Sequence, residues 1–260
     1  MICSNIKLTW QEESIGFGTY VFPEQSQWDL GNPKRPARIS PARRNNVLHS
    51  KRKMPMATES QSLKTLREEA ALCRACPLWK DATQTVFGEG PPHAQVMLVG
   101  EQPGDKEDLA GRPFVGPAGQ MLDRALEEAG IDRNKTYVTN AVKHFKFLPR
   151  GKFRLHQKPT TPEIKACRPW YERELAVIKP DLVVAMGATA AQSVFGKITP
   201  INRNRGRLID LDEGIKALVT VHPSYLLRLP DEDAKAREYE RFVSDLKIAA
   251  ELLRKSVRAA

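Results

Sequence analysis

Four short strand-like segments, each closed by a residue of special chemistry, constrain this chain more than any other feature. Gln95 to Val99 runs into Gly100, and Thr136 to Asn140 ends on a side-chain amide. Leu182 to Met186 runs into Gly187, and Ala217 to Val221 runs into His222. Each is the length of a strand and too short for a stable helix, and Tyr137 and Val138 add β preference. Helical signals lie between and around them. An amphipathic helix is predicted from Ser62 to Leu72, and another from Pro117 to Ala129, stopped by Gly130. Thr160-Thr161-Pro162-Glu163 opens a third, which runs through Trp170 to Ile178, because a threonine and a glutamate three residues on satisfy the free amides of a first turn. Ala188 to Phe195 and Asp233 to Arg254 complete the set. Strands alternating with helices give an α/β fold, a three-layer αβα domain with a central, mostly parallel four-stranded sheet. In such sheets a ligand sits beyond the carboxyl ends of the strands. The residues just beyond each run are therefore the first candidates for a site.

The first 57 residues differ from the rest. They are rich in Pro, Arg, Ser and Asn and hold no sustained period, which reads as a disordered basic extension or an upstream leader, with Met54 or Met56 as candidate starts. Residues 58–257 are expected to form the folded domain. The formal net charge of +10 favours a polyanionic partner. That charge is partly local, because Lys34 to Lys53 holds eight Lys and Arg and no acid, and such a run is often a solvated tail. No apolar run reaches the roughly 20 residues that span a bilayer, and no secretory signal opens the chain. A cytoplasmic monomer is the expectation. Of the four cysteines, Cys73 and Cys76 form a C-x-x-C pair, Cys167 stands far off and Cys3 lies in the extension. Such a pair suggests metal or redox chemistry over a structural disulfide.

The loop after the first run, Gly100-Glu101-Gln102-Pro103-Gly104-Asp105, carries Glu101, Asp105, Glu107 and Asp108, four carboxylates within eight residues. An acidic loop is as often structural as functional, but at a strand end of a basic protein it is a candidate site. Phe114 follows in a stiff Gly- and Pro-rich stretch. Asn140 offers a donor and an acceptor, which suits the edge of a pyrimidine, although alone it reads as a turn residue. His222-Pro223-Ser224 follows the fourth run. Its imidazole alone would read as structural, Ser224 can meet a phosphate, and Tyr225, Leu226 and Leu227 form an apolar group able to wedge between bases. His156 lies in Arg150-Gly151-Lys152-Phe153-Arg154-Leu155-His156-Gln157-Lys158, a basic loop whose cations can hold phosphates while the imidazole faces a reacting centre. The plain alternative is a DNA-backbone loop in which the histidine has no special part.

Together these motifs resemble the uracil-DNA glycosylase superfamily, over about Leu66 to Leu253. The likeness rests on Cys73-Arg74-Ala75-Cys76-Pro77-Leu78, the Gly100 to Asp105 loop, Gly111 to Gly119, Asn140-Ala141-Val142-Lys143-His144, the Cys167 helix and His222-Pro223-Ser224. It is nearest to the iron–sulfur branch, and within that branch to the UdgX type. Ordinary members of the branch have Val-Lys-Cys where this chain has Val142-Lys143-His144, and a shorter stretch from there to Cys167. Both departures are similar to the UdgX type.

The resemblance implies a [4Fe–4S] cluster held by Cys73, Cys76, His144 and Cys167. Read from the residues alone, three cysteines and a histidine suit zinc as well. It implies uracil-containing DNA, single- or double-stranded, as partner, in a bacterial protein that joins the nucleoid when bound. Phe114 would stack on the flipped base, Asn140 would bond its edge with backbone groups around Gln102, and His222 would meet charge building on the leaving uracil. His156 would then attack C1′ and remain attached, with Glu101 orienting it and Asp105 positioning the loop or a water. The alternatives are a hydrolytic glycosylase in which His156 only contacts DNA, and a non-catalytic uracil-DNA binding module.

Overall fold

A computed structural model describes residues 62–259. The first 57 residues, Cys3 and the proposed start codons therefore lie outside the described residues. The five-residue runs are β1 (Val96–Gly100), β2 (Thr136–Asn140), β5 (Leu182–Met186) and β7 (Lys216–Thr220), all parallel to one another in the sheet. Alternate residues point to opposite faces. Val96, Leu98, Val138, Val184 and Leu218 thus enter one apolar layer, while Met97, Val99, Tyr137, Val183 and Val219 enter the other. The first layer is roofed by α3 (Pro117–Ala129) and α8 (Glu232–Ala259), the second by α4 (Thr161–Ile178) and α5 (Ala188–Phe195). This is the expected three-layer αβα domain.

The sheet has five strands, not four. Its order is β2-β1-β5-β7-β6, where β6 (Leu208–Asp210) is antiparallel to β7 and closes one edge. Three partly exposed residues next to Arg205-Gly206-Arg207 leave no apolar run to reveal this strand in the sequence.

Predicted helix ends mostly coincide with observed ones. The first helix, α1, is Leu63–Ala71, capped by the Ser62 hydroxyl. In α4, Thr160 and Glu163 form the expected capping box, and Pro169 is accommodated inside the helix. The acidic loop, by contrast, becomes a short helix, α2 (Asp105–Ala110). Two of its carboxylates hold the chain itself. Glu107 accepts the N–H groups of Gly104 at 3.1 Å and Gly116 at 2.8 Å. Asp108 is fully buried and accepts the Thr83 N–H through both oxygens.

The basic loop is also ordered. It forms an antiparallel hairpin of β3 (Phe147–Arg150) and β4 (Phe153–His156), separate from the main sheet. Gly151, at φ 56°, makes the turn that a side chain would strain. Two further helices are short, α6 (Ile201–Asn204) and α7 (Pro223–Leu227).

Candidate functional site

Glu101, Asn140, Gly187 and His222 all follow or end parallel strands on the same edge of the sheet. An open cleft of about 840 Å³ runs along this edge, lined by Glu101, Gly187, His222, Tyr225 and Arg228 and continuing to Arg205 and Arg241.

Glu101 is fixed by both oxygens. One accepts the Thr189 hydroxyl at 2.6 Å from the start of α5, and the other stands 3.3 Å from Nε2 of His156. The hairpin thus delivers the last residue of β4 to a carboxylate at the end of β1. Burial lowers the His156 pKa, the Glu101 carboxylate opposes that shift and Arg228 adds to it.

His222 caps α7, and its Nδ1 accepts the Ser224 N–H at 3.2 Å with the Ser224 hydroxyl at 2.8 Å. Burial, with the nearby Arg228 and His156, pushes its pKa down to about 4. The ring is then neutral at ordinary pH. Because Nδ1 accepts an N–H, its single proton sits on Nε2, ready to donate.

Phe114 and Asn140 meet over Gly100. A Cβ there would stand 2.4 Å from the Asn140 Oδ1 and 2.6 Å from the Phe114 ring. Only glycine lets both groups close over the end of β1. Phe114 itself adopts a left-handed backbone, φ 57°, and its ring centroid lies 6.0 Å from that of His222 at an interplanar angle of 27°. Phe114 and Asn140 are buried, and neither lines the large cleft. Of the apolar group after His222, Tyr225 and Leu227 are exposed, while Leu226 belongs to the core.

Gln102 is committed elsewhere. Its side-chain NH₂ donates to the carbonyls of Lys146 at 3.2 Å and Gln157 at 3.0 Å, and its carbonyl accepts the Lys146 N–H at 3.2 Å. It clamps the two legs of the hairpin. Asp105 also serves the hairpin, since Arg154 bonds its carboxylate at 2.5 Å and that of Asp108 at 2.6 Å. The Arg154 guanidinium stacks over Phe145 and Phe147 as well. No sequence pattern announces the bonds of Gln102, Asp105 and Asp108 to the hairpin, which span more than forty residues.

The cysteines gather away from this cleft. Cys76 and Cys167 share an apolar cluster with Leu78, Val142 and Trp170. Cys73 Sγ takes the Trp170 indole N–H at 3.2 Å, and Cys167 Sγ takes the Lys143 backbone N–H at 3.2 Å. Burial pushes the Cys167 thiol up to about 12, and the neighbouring Cys76 and Cys73 push in the same direction. Three thiolates can share such a place only beside a cation. His144 is buried, with Nε2 on the Thr85 hydroxyl at 2.9 Å, so Nδ1 is its free nitrogen. Among the described residues no set of three or more His, Cys, Asp or Glu side chains stands in metal-binding geometry. The donor types, the mutual influence of the three thiols and the N–H bonds to two of the sulfurs nevertheless fit a thiolate-bound metal group.

Residues 87–247 match the family model described as the uracil DNA glycosylase superfamily. The chain belongs to the uracil-DNA glycosylase superfamily. It is 41% identical over 174 residues to a Type-4 uracil-DNA glycosylase of Thermotoga maritima, covering 66% of this chain and 87% of that protein. A Type-4 uracil-DNA glycosylase of Archaeoglobus fulgidus is 34% identical over 199 residues, covering 74% and 94%. A Type-5 uracil-DNA glycosylase of Thermus thermophilus is 32% identical over 137 residues, covering 47% and 58%. The superfamily match spans β1 to most of α8, and so includes both the cleft and the hairpin. No helix among the described residues is long and apolar enough to cross a membrane.

Proposed function

We propose that this superfamily member excises uracil from DNA and is then captured by its own product through His156. The observation that carries the reading is the approach of His156 Nε2 to Glu101 at 3.3 Å, beside a cleft that His222 also lines.

The uracil nucleotide enters flipped or single-stranded. Phe114 stacks on the base, and the Asn140 amide takes its edge. Uracil offers an acceptor where cytosine carries an amine, so the amide tells them apart. As the C1′–N1 bond breaks, its electron pair passes to the uracil ring. The Nε2–H of His222 donates to the negative charge that gathers on the carbonyl oxygen. C1′ becomes electron-poor and accepts the lone pair of the His156 imidazole, which is neutral near pH 7 because its pKa is depressed. The new N–C bond makes a cationic ring beside the Glu101 carboxylate, and loss of the other ring proton to solvent neutralises it. An N-linked imidazole is a poor leaving group, so one turnover ends the reaction.

Cys73, Cys76, Cys167 and His144 would hold a [4Fe–4S] cluster, with zinc as the competing occupant. The group would join α1 and its following turn to α4, as a structural tie. The similarity to Type-4 enzymes, together with the shared thiol environment, supports this assignment.

A purified sample mixed with a uracil oligonucleotide and run on a denaturing gel tests the reaction, beside His156→Gln. A retarded band with the native chain alone supports capture. Cleavage at uracil after alkali, with no retarded band, would instead mean that water takes C1′, the reading nearest to the relatives' names. Neither outcome, with binding retained, would leave a non-catalytic uracil-DNA module.

A further inference from the structure

The hairpin that carries His156 has two unlike faces. In an antiparallel pair, residues opposite each other share a face. Phe147 pairs with His156, and Pro149 with Arg154. This face packs on the domain through Phe147 and His156, whose ring centroids lie 5.1 Å and 6.1 Å from that of Phe145, and through Arg154, which meets Asp105 and Asp108, while Pro149 and part of the His156 ring stay exposed. The other face carries Leu148 opposite Leu155 and Arg150 opposite Phe153. Its apolar side chains face solvent: Phe153 is 62% exposed, Leu148 56% and Leu155 39%. Three large apolar groups on one small, two-stranded face are costly unless something covers them.

What covers them is indicated by charge and place. From Lys146 to Lys158 there are five basic residues and no acidic one. Lys152 lies 5.5 Å from the Phe153 ring. The occupant is therefore a polyanion that also presents flat apolar surfaces, which a duplex hides by pairing and stacking and a single strand exposes. Phe153 is three residues from His156 along one strand, roughly 10 Å at the usual rise. Stacked DNA covers that distance in about three nucleotides, and extended single strand in fewer.

We propose that the outward face of the hairpin, Phe153 with Leu148 and Leu155, is a stacking platform for unpaired bases beside the uracil, so that this protein reads single-stranded DNA. The inference rests on the reading that the adjacent cleft takes uracil in DNA. It gives the hairpin two tasks: its inner face presents the imidazole, and its outer face holds the strand that the imidazole addresses.

The test uses the full chain and oligonucleotides carrying 2′-fluoro-2′-deoxyuridine, whose electron-withdrawing fluorine resists bond cleavage. Binding is thus read without capture. Fluorescence anisotropy compares single strand with duplex for the native chain, Phe153→Ala and Phe153→Leu. A 2-aminopurine placed one to four nucleotides on either side of the uracil reports stacking. We expect Phe153→Ala to weaken single-strand binding about 5- to 100-fold and duplex binding less than about twofold. The 2-aminopurine signal should change at one or two positions only, and Phe153→Leu should be intermediate. Because Phe153 is exposed, circular dichroism should find both variants folded.

Equal losses on both DNA forms, no loss on either, or a position-independent probe signal would overturn the platform. So would self-association of the native chain lost in Phe153→Ala, because a second copy would then be the cover. A native chain that binds uracil and thymine strands alike would count against the uracil reading instead. In that case the thymine strand still reports on Phe153 by the same comparison.

Discussion

Gln102 and Lys146 hold each other by two hydrogen bonds: the Gln102 NH₂ donates to the Lys146 carbonyl, and the Gln102 carbonyl accepts the Lys146 N–H, both at 3.2 Å. A third bond, to the Gln157 carbonyl, closes the other leg of the hairpin. Gln102→Ala removes all three; the Lys146 carbonyl keeps the Gln157 N–H at 2.9 Å, but the Lys146 N–H and the Gln157 carbonyl lose this partner, at about 1–3 kcal/mol each where water cannot replace it. The core sheet is untouched, so the loss should fall on the hairpin. We expect adduct formation to slow by tenfold or more while uracil release falls less, read from a gel time course beside chromatographic assay of the free base. Equal losses would mean that the hairpin also shapes the base pocket.

Gly100→Ala addresses Phe114 and Asn140, the pair proposed to contact the base. The added methyl would collide with the Asn140 amide and the Phe114 ring, displacing both. Uracil release should fall by at least about tenfold, a barrier change of about 1.4 kcal/mol. Thermal melting should change less than it does for a core cavity. An unaltered rate would show that neither group needs its present place.

The pH response follows from two histidines. His156 and His222 both have depressed pKa values, His222 at about 4. In the proposed mechanism a neutral imidazole is the working form in each case, so single-turnover rates should hold level from pH 8 downward and fall only below the ordinary imidazole value of about 6.5. Stability has the same direction. The unfolded His222 takes a proton near 6.5 and the folded one near 4, so its contribution is complete above 6.5 and is lost as pH falls towards 4. A rate that rises on acidification would contradict the nucleophile role.

Lys143 and Glu174 form an ion pair at 2.6 Å, with both side chains almost wholly buried. Glu174 also accepts bonds from Tyr137, Thr139 and the Gly88 N–H, and Lys143 donates to the Asn140 carbonyl. Lys143→Met leaves a buried carboxylate without its cation, and about 3–5 kcal/mol of destabilisation is expected in denaturant unfolding. Adding Glu174→Leu should not restore the loss, because Tyr137, Thr139 and Gly88 then lose their acceptor.

Metal content separates iron from zinc. Chain purified without oxygen should carry about four irons and visible absorbance if the cluster is present, and Cys73→Ser or Cys167→Ser should remove both. Stoichiometric zinc without colour would overturn the cluster and keep the ligand set.

The sequence made the frame legible because β1, β5 and β7 hold short continuous apolar runs, β2 carries Tyr137 and Val138, and α1 and α4 carry their own start signals at Ser62 and Thr160. The site's edge came from that frame, and Glu101, Asn140 and His222 stand where strand ends put them. The hairpin was hidden by Pro149 inside β3 and by basic residues that mask its alternation, although Gly151 marks its turn. Glu107 and Asp108 illustrate the opposite difficulty. As letters they look like an acidic ligand site, but in space their oxygens are occupied by backbone amides nine and twenty-five residues away. Gln102 gives no local signal at all, because its partners are 44 and 55 residues on.

The hairpin begins three residues after His144 and ends five residues before Thr161, the first residue of the helix that carries Cys167. Both of its ends are therefore tethered close to the corner where the cysteines gather, while none of its residues pairs with a strand of the five-stranded sheet. Such a span is open to change wherever its residues do not hold the rest of the domain, as Arg154 does at the buried Asp108. On the proposed reading, a change from repeated turnover to permanent capture requires no rebuilding of the base pocket. It requires only that one inserted strand end on the right residue.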